Sequence, residues 1–173
     1  MTEIFTTKKL EKIINKKIEN NDLIVESILG NWNATIIYIA KKKCLLFVNS
    51  ETFFSVIIPR FSMKDIDKID ELFINCFYNQ LLFEKINIDF KTISSILGKI
   101  SFHPTNNNKK VIGVLNYNVE KINYFKYDYP ILNSSIIRKM THKLNITPFK
   151  QLGWKLPCET MVAKLNIESE KVN

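Results

Sequence analysis

Three runs rich in β-branched, aromatic and aliphatic residues follow in quick succession: Ala34–Ala40, Cys44–Asn49 and Thr52–Ile58. Each is too short for an amphipathic helix, and residues of these types pack well on a pleated surface. Lys41-Lys42-Lys43 separates the first two runs, and Pro59, which has no amide to give to a ladder, ends the third. Three short strands in series predict an antiparallel meander. The triple lysine then falls at a hairpin tip, where it keeps a strand edge from pairing with other chains. The fold class that follows is α+β: a small antiparallel β-meander packed against several helices, in a single domain spanning 1–173 with 166–173 as a frayed tail.

The helices are read from capping residues and apolar spacing. Thr7 is placed to cap a helix with Leu10, Ile13, Ile14 and Ile18 on one face, Ile4-Phe5-Thr6 forms an initial strand before it, and Asn20-Asn21-Asp22 ends it. Ser62-Met63-Lys64-Asp65 has the form of a capping box. It opens a Ser62–Phe83 helix whose stripe of Ile66, Ile69, Leu72, Phe73, Cys76, Phe77 and Leu81 covers the sheet. Asp65, Asp67, Asp70 and Glu71 suit the positive end of that helix dipole and are read as structural. Further helices are expected over Phe90–Ile100, stopped by His103-Pro104, from near Tyr117 to Tyr127, and from Ser134 or Ser135 to Leu144.

Charge is distributed unevenly. Residues 1–90 carry 12 basic and 12 acidic side chains, whereas residues 91–173 carry 13 basic and 5 acidic, which accounts for the whole net charge of +8. The chain has 26 Ile, 23 Lys and 19 Asn but only two Arg, a bias toward AT-rich codons that inflates lysine everywhere. Such a bias does not separate the halves. Phe90–Val119 and Tyr129–Cys158 contain no acid at all, and a one-signed surface of this kind points to an anionic partner.

Several classes of chemistry lack their residues. Cys44, Cys76 and Cys158 form no C-x-x-C pair and only His103 and His142 are available as imidazoles, so no zinc motif exists and the cysteines read as structural thiols. His103, beside Pro104, is read as a loop or core contact. Gly30, Gly98, Gly113 and Gly153 build no phosphate-cradling loop, and neither G-x-S-x-G nor H-E-x-x-H occurs. No catalytic residue, metal or cofactor is assigned. No apolar run approaches the ~18 residues of a membrane span, and Met1-Thr2-Glu3-Ile4-Phe5 has no signal-peptide core, which places the protein in the cytoplasm without membrane contact.

Five motifs in order carry a family resemblance. They are Thr7-Lys8-Lys9-Leu10, Leu29-Gly30-Asn31-Trp32-Asn33-Ala34, Leu45-Leu46-Phe47-Val48-Asn49 with Ser55-Val56-Ile57-Ile58-Pro59, Asn108–Tyr117, and Thr147–Pro157. The chain resembles, over nearly its whole length, an uncharacterised bacterial domain family with T-x-K-L, L-G-D-W-x-A, L-x-L-F-V-N, N-R-S-V-L-G-S-M-N-D and T-P-x-x-P-L-K-Y-K-Y-P elements. The resemblance implies a fold and brings no known reaction. Asn31 and Tyr117 stand where the family has Asp, so acid–base catalysis at those positions is not expected here.

The expected working surface is the basic half. Asn108, Lys109, Lys110 and Asn116 offer hydrogen bonds and charge to phosphates or carboxylates. The plainer roles are Asn108 as a turn residue, Asn116 as the cap of the helix beginning near Tyr117, and Gly113 as a point of close packing. The Ser134–Leu144 helix pairs Arg138 with His142 and Lys139 with Lys143 on exposed sides, the sharpest basic surface in the chain. Tyr117, Tyr124 and Tyr127 beside Lys121 have the makings of stacking platforms. Two readings follow, with a cryptic hydrolase or nuclease as a third. The first is a non-enzymatic regulator or inhibitor that binds an acidic protein partner through this half, with Trp32 and Trp154 as candidate anchors. The second is an RNA- or DNA-binding protein using the same surface. Oligomeric state is not predicted.

Overall fold

The computed structural model of the chain describes residues 1–19, 27–129 and 132–172, with side chains through Asn166. The three apolar runs form β2 (Trp32–Ile39), β3 (Lys42–Asn49) and β4 (Ser55–Ile58), paired antiparallel as expected. Ile39 pairs with Lys42, leaving Ala40 and Lys41 as the two turn residues, with φ of 47° and 60°. A two-residue turn with both φ positive matches the twist of the flanking strands. Only Lys41 is therefore at the hairpin tip, and Lys42 and Lys43 belong to β3.

The sheet is larger and more mixed than a meander. β1 (Thr2–Thr6) lies parallel to β2, and β5 (Ile100–His103) lies parallel to β1, giving the order β4-β3-β2-β1-β5. Two sequence expectations are corrected here. The first helix, α1, is only Lys8–Glu11, followed by a 3-10 turn at Asn15–Lys17. Its continuation is drawn off to the open edge of β5, where Ile18 bridges Phe102 and the Glu19 amide donates to the Phe102 carbonyl at 2.7 Å. Thr7 caps nothing with its side chain and instead shares a 2.9 Å hydrogen bond with the Thr35 hydroxyl. The helix expected over Phe90–Ile100 is α3, Phe90–Leu97. Gly98, at φ 58°, breaks it, and Ile100 is recruited by β1. Asn20-Asn21-Asp22 lies outside the described residues.

Ser62 begins its helix as the capping box predicts, its amide and hydroxyl both donating to the Asp65 carboxylate at 2.7 Å. The first turns are 3-10 (Met63–Lys68) before α2 proper, Ile69–Phe83. The remaining helices are α4 (Lys109–Phe125), α5 (Ser134–Asn145) and α6 (Pro157–Val172), so the backbone of α6 runs over positions expected to fray. Helix α4 starts eight residues before the expected Tyr117. Asn108 is its cap, accepting from the Val111 amide, and Val111, Val114, Leu115, Asn118 and Ile122 form the buried face. Asn116 is accordingly an exposed mid-helix residue and no cap.

Both sheet faces are covered. Ile4, Trp32, Ala34, Leu45, Phe47, Val56 and Ile58 point to one core with residues of α2, α3 and α6, while Ile37, Ile39, Cys44, Leu46, Val48 and Ile57 point to a second with α4 and α5. The cysteines are free, and burial raises the Cys44, Cys76 and Cys158 thiols above their ordinary range. Since the unfolded chain then ionises first, their contribution holds below the ordinary thiol pKa and fades as pH rises above it.

The two helical layers meet around the edge strand β4. Asn145, on α5, presents its amide to Ser55 as a peptide group would, accepting from the Ser55 amide at 2.7 Å and donating to its carbonyl at 3.2 Å. The same amide nitrogen donates to the buried Glu84 carboxylate just after α2, which also accepts from Gln80 at 2.8 Å and His142 at 2.5 Å. Truncating Asn145 leaves two strand groups and a buried carboxylate short of partners. Asn145→Ala is expected to lower unfolding stability by about 2–4 kcal/mol, read from urea titration. Gly113 behaves oppositely: a Cβ built there meets nothing within 4 Å, so it serves no close packing. Gly113→Ala is expected to raise stability by about 0.5–1 kcal/mol in the same assay.

Candidate partner-binding face

The basic residues named from the sequence fall into three environments. Arg138 is turned inward, its guanidinium donating to the Cys76 carbonyl at 2.7 Å and to Gln80 Oε1 at 3.3 Å. It ties α5 to α2 and is removed from the expected surface. His142, expected among cations, is instead held by the Glu84 carboxylate and stacks edge-on against Phe83. Lys109 and Lys139 are exposed, at the start of α4 and on α5.

The third group lies over aromatic rings. Lys110 Nζ sits 5.0 Å from the Phe53 ring centroid, and Lys121 lies between Tyr117 at 5.5 Å and Phe125 at 5.9 Å. Lys143 crosses from α5 to the same region, 4.6 Å from Phe125 and 5.2 Å from Tyr129. The rings are themselves linked, since Phe149 meets Phe53 at 5.3 Å and Tyr117 at 5.6 Å. One band of alternating cations and rings thus runs along α4 from Lys110 to Phe125, roughly 22 Å at 1.5 Å per residue, and onto α5. Among the described residues no carboxylate lies within ion-pairing distance of Lys109, Lys110, Lys121, Lys139 or Lys143; the lysines that do pair are Lys17, Lys99 and Lys164. Their charge is available to something else.

The two tryptophans separate cleanly. Trp32 is fully buried, packed edge-to-face on Phe73 at 5.0 Å and Phe77 at 5.2 Å, so it is a core residue and not a partner anchor. Trp154 is 68% exposed. Its loop is fixed by hydrogen bonds from the Gly153 amide to Lys150 O at 2.9 Å and from the Trp154 amide to Phe149 O at 2.9 Å, with Trp154 itself at φ 64°. A large exposed ring in the left-handed region, where residues other than glycine are uncommon, is held there by its loop.

Sequence reasoning set Tyr117 beside Lys121 but missed Phe53, Phe125 and Tyr129 under the lysines, although Phe125, four residues after Lys121, was a local signal. It also missed a polar patch at the other end of the second sheet face. There His103 is buried, with Nδ1 on the Glu19 carbonyl and Nε2 on the Ser101 hydroxyl, both at 3.0 Å, and Nε2 3.9 Å from the Glu3 carboxylate. A carbonyl only accepts, so Nδ1 carries a proton and donates to Glu19. Asn33 Nδ2 donates to Asn106 in the same patch. The Ser101 contact lies within β5 and the Glu19 contact ties β5 to the segment after the Asn15–Lys17 turn, with Ser101 and Glu3 each only 2% exposed.

Among the described residues no helix is long and apolar enough to cross a membrane, and no three His, Cys, Asp or Glu side chains group to hold a metal. Compared with curated proteins and with solved structures, the chain matches none. Its residues 3–160 match the model of a domain of unknown function, DUF6933, and the chain belongs to that family.

Proposed function

We propose that the protein is a non-enzymatic binding module, a small cytoplasmic regulator or inhibitor of the kind carried on bacterial mobile elements, that captures an anionic partner on the face formed by α4, α5 and the Phe149–Lys155 loop. One observation carries this reading: Lys110, Lys121 and Lys143 are held over rings on one continuous face with no carboxylate partner among the described residues. A cation kept against a ring is already partly ordered, so less side-chain freedom is lost when an anion binds. An acidic protein surface fits this face, with the exposed and loop-fixed Trp154 as the anchor whose truncation costs over ~2 kcal/mol of binding. A nucleic acid fits it too, a reading favoured by the exposure of Tyr124 and Tyr127.

The face, rather than total charge, is the claim. On a heparin column the double variant Lys121→Glu/Lys143→Glu is expected to elute at markedly lower salt than the parent. Lys8→Glu/Lys9→Glu, the same charge change on α1, is expected to elute close to the parent. Equal losses in the two variants would mean that retention follows net charge and that no dedicated face exists.

A further inference from the structure

Building on the anionic-partner reading, we propose that the face takes single-stranded nucleic acid, bases stacking on Tyr124 and Tyr127 while phosphates lie over Lys121, Lys126 and Lys143. Tyr124 and Tyr127 are 77% and 81% exposed, more than any other large apolar or aromatic side chain described. Rings placed in water at the end of a helix gain nothing from the fold. Tyr124 meets the band edge-to-face with Phe125, 6.2 Å away with the planes at 71°, and most of its ring stays in water. Lys126 lies over the Tyr127 ring at 5.5 Å and is steadied by donating to Asn123 at 3.1 Å, so a cation occupies one side of a ring that is otherwise largely in water.

That pairing suits an unpaired strand better than the other anions. A duplex hides its base faces, so exposed rings add nothing to binding it, whereas each unpaired base offers a π-face and a phosphate a few ångströms away. A protein interface draws its energy from anchors desolvated together at its centre. Here Phe53, Tyr117, Phe125, Tyr127 and Tyr129 each have an ammonium as neighbour, which keeps the band hydrated. Glu120, exposed on α4, lies about 100° around the helix from Lys121 but only about 40° from Tyr124, one turn further on, so the phosphate path runs past Lys121 and Phe125 and a base reaches Tyr124 from that side, away from Glu120.

The test is fluorescence anisotropy of the full chain with four labelled probes at several salt concentrations: single-stranded RNA and DNA of about 12 nucleotides, duplex DNA of equal length, and polyglutamate. Single strands are expected to bind at micromolar or better in low salt. The slope of log K against log salt should be about −2 for three phosphate contacts. Duplex and polyglutamate should bind at least ~10-fold more weakly. Tyr124→Ala/Tyr127→Ala should weaken single-strand binding by about 30-fold or more with the slope retained, while Tyr124→Phe/Tyr127→Phe keeps the affinity because the rings remain. Lys121→Glu/Lys143→Glu should flatten the slope. Polyglutamate or duplex binding as tightly as single strands, or indifference to the Tyr→Ala change, overturns the inference and leaves the anionic face standing. Silence from all four probes overturns both.

Discussion

Every residue of Cys44–Asn49 on β3 is buried, and the rest of the architecture answers that constraint. A strand apolar on both sides cannot rest on one layer of helices, so α2 packs beneath and α4 with α5 above. Two helical layers separated by a sheet touch only around its edge. That junction is polar: Glu84 after α2 gathers Gln80, His142 and Asn145, and Asn145 in turn seals the backbone of β4 at Ser55. A carboxylate only 2% exposed in its side chain is tolerable because donors from two helices surround it. The same contacts fix α5 against α2, and so set where Lys143 stands relative to α4.

Seen this way, the basic half divides its labour. Arg138 and His142 are spent inward, on the Cys76 carbonyl, Gln80 and Glu84, and hold the two layers together. Lys110, Lys121 and Lys143 are left outward over rings. The rings have two roles, since Phe53 and Phe149 belong to the second core and also underlie the cation band.

What the sequence made legible is local. The meander, the Ser62 box and the α5 limits follow from period, turn residues and caps, all within a few positions of one another. β1 was visible as Ile4-Phe5-Thr6, but its parallel partners were not, because pairing with residues near 100 leaves no mark in either segment. That long-range pairing also turned Ile100 from helix to strand and cut α1 short. Helix α4 was misplaced because Val111-Ile112-Gly113-Val114-Leu115 is β-branched and contains Gly; burial of Val111, Val114 and Leu115 on one side outweighed propensity. For the candidate face, the lysines and tyrosines were readable as an acid-free stretch. Their sorting was not, since the groups that withdraw Arg138 and His142 lie some 60 residues away.

We propose that one side of this protein, the α4–α5 band, is its working surface. Lysine footprinting measures that directly: acetylation of each Nζ is followed by mass spectrometry with and without a bound polyanion. Protection is expected at Lys110, Lys121 and Lys143, with Lys8, Lys9 and Lys64 reacting as before. Protection centred on α1 or on the β2–β3 hairpin, or none above the general level, would contradict it.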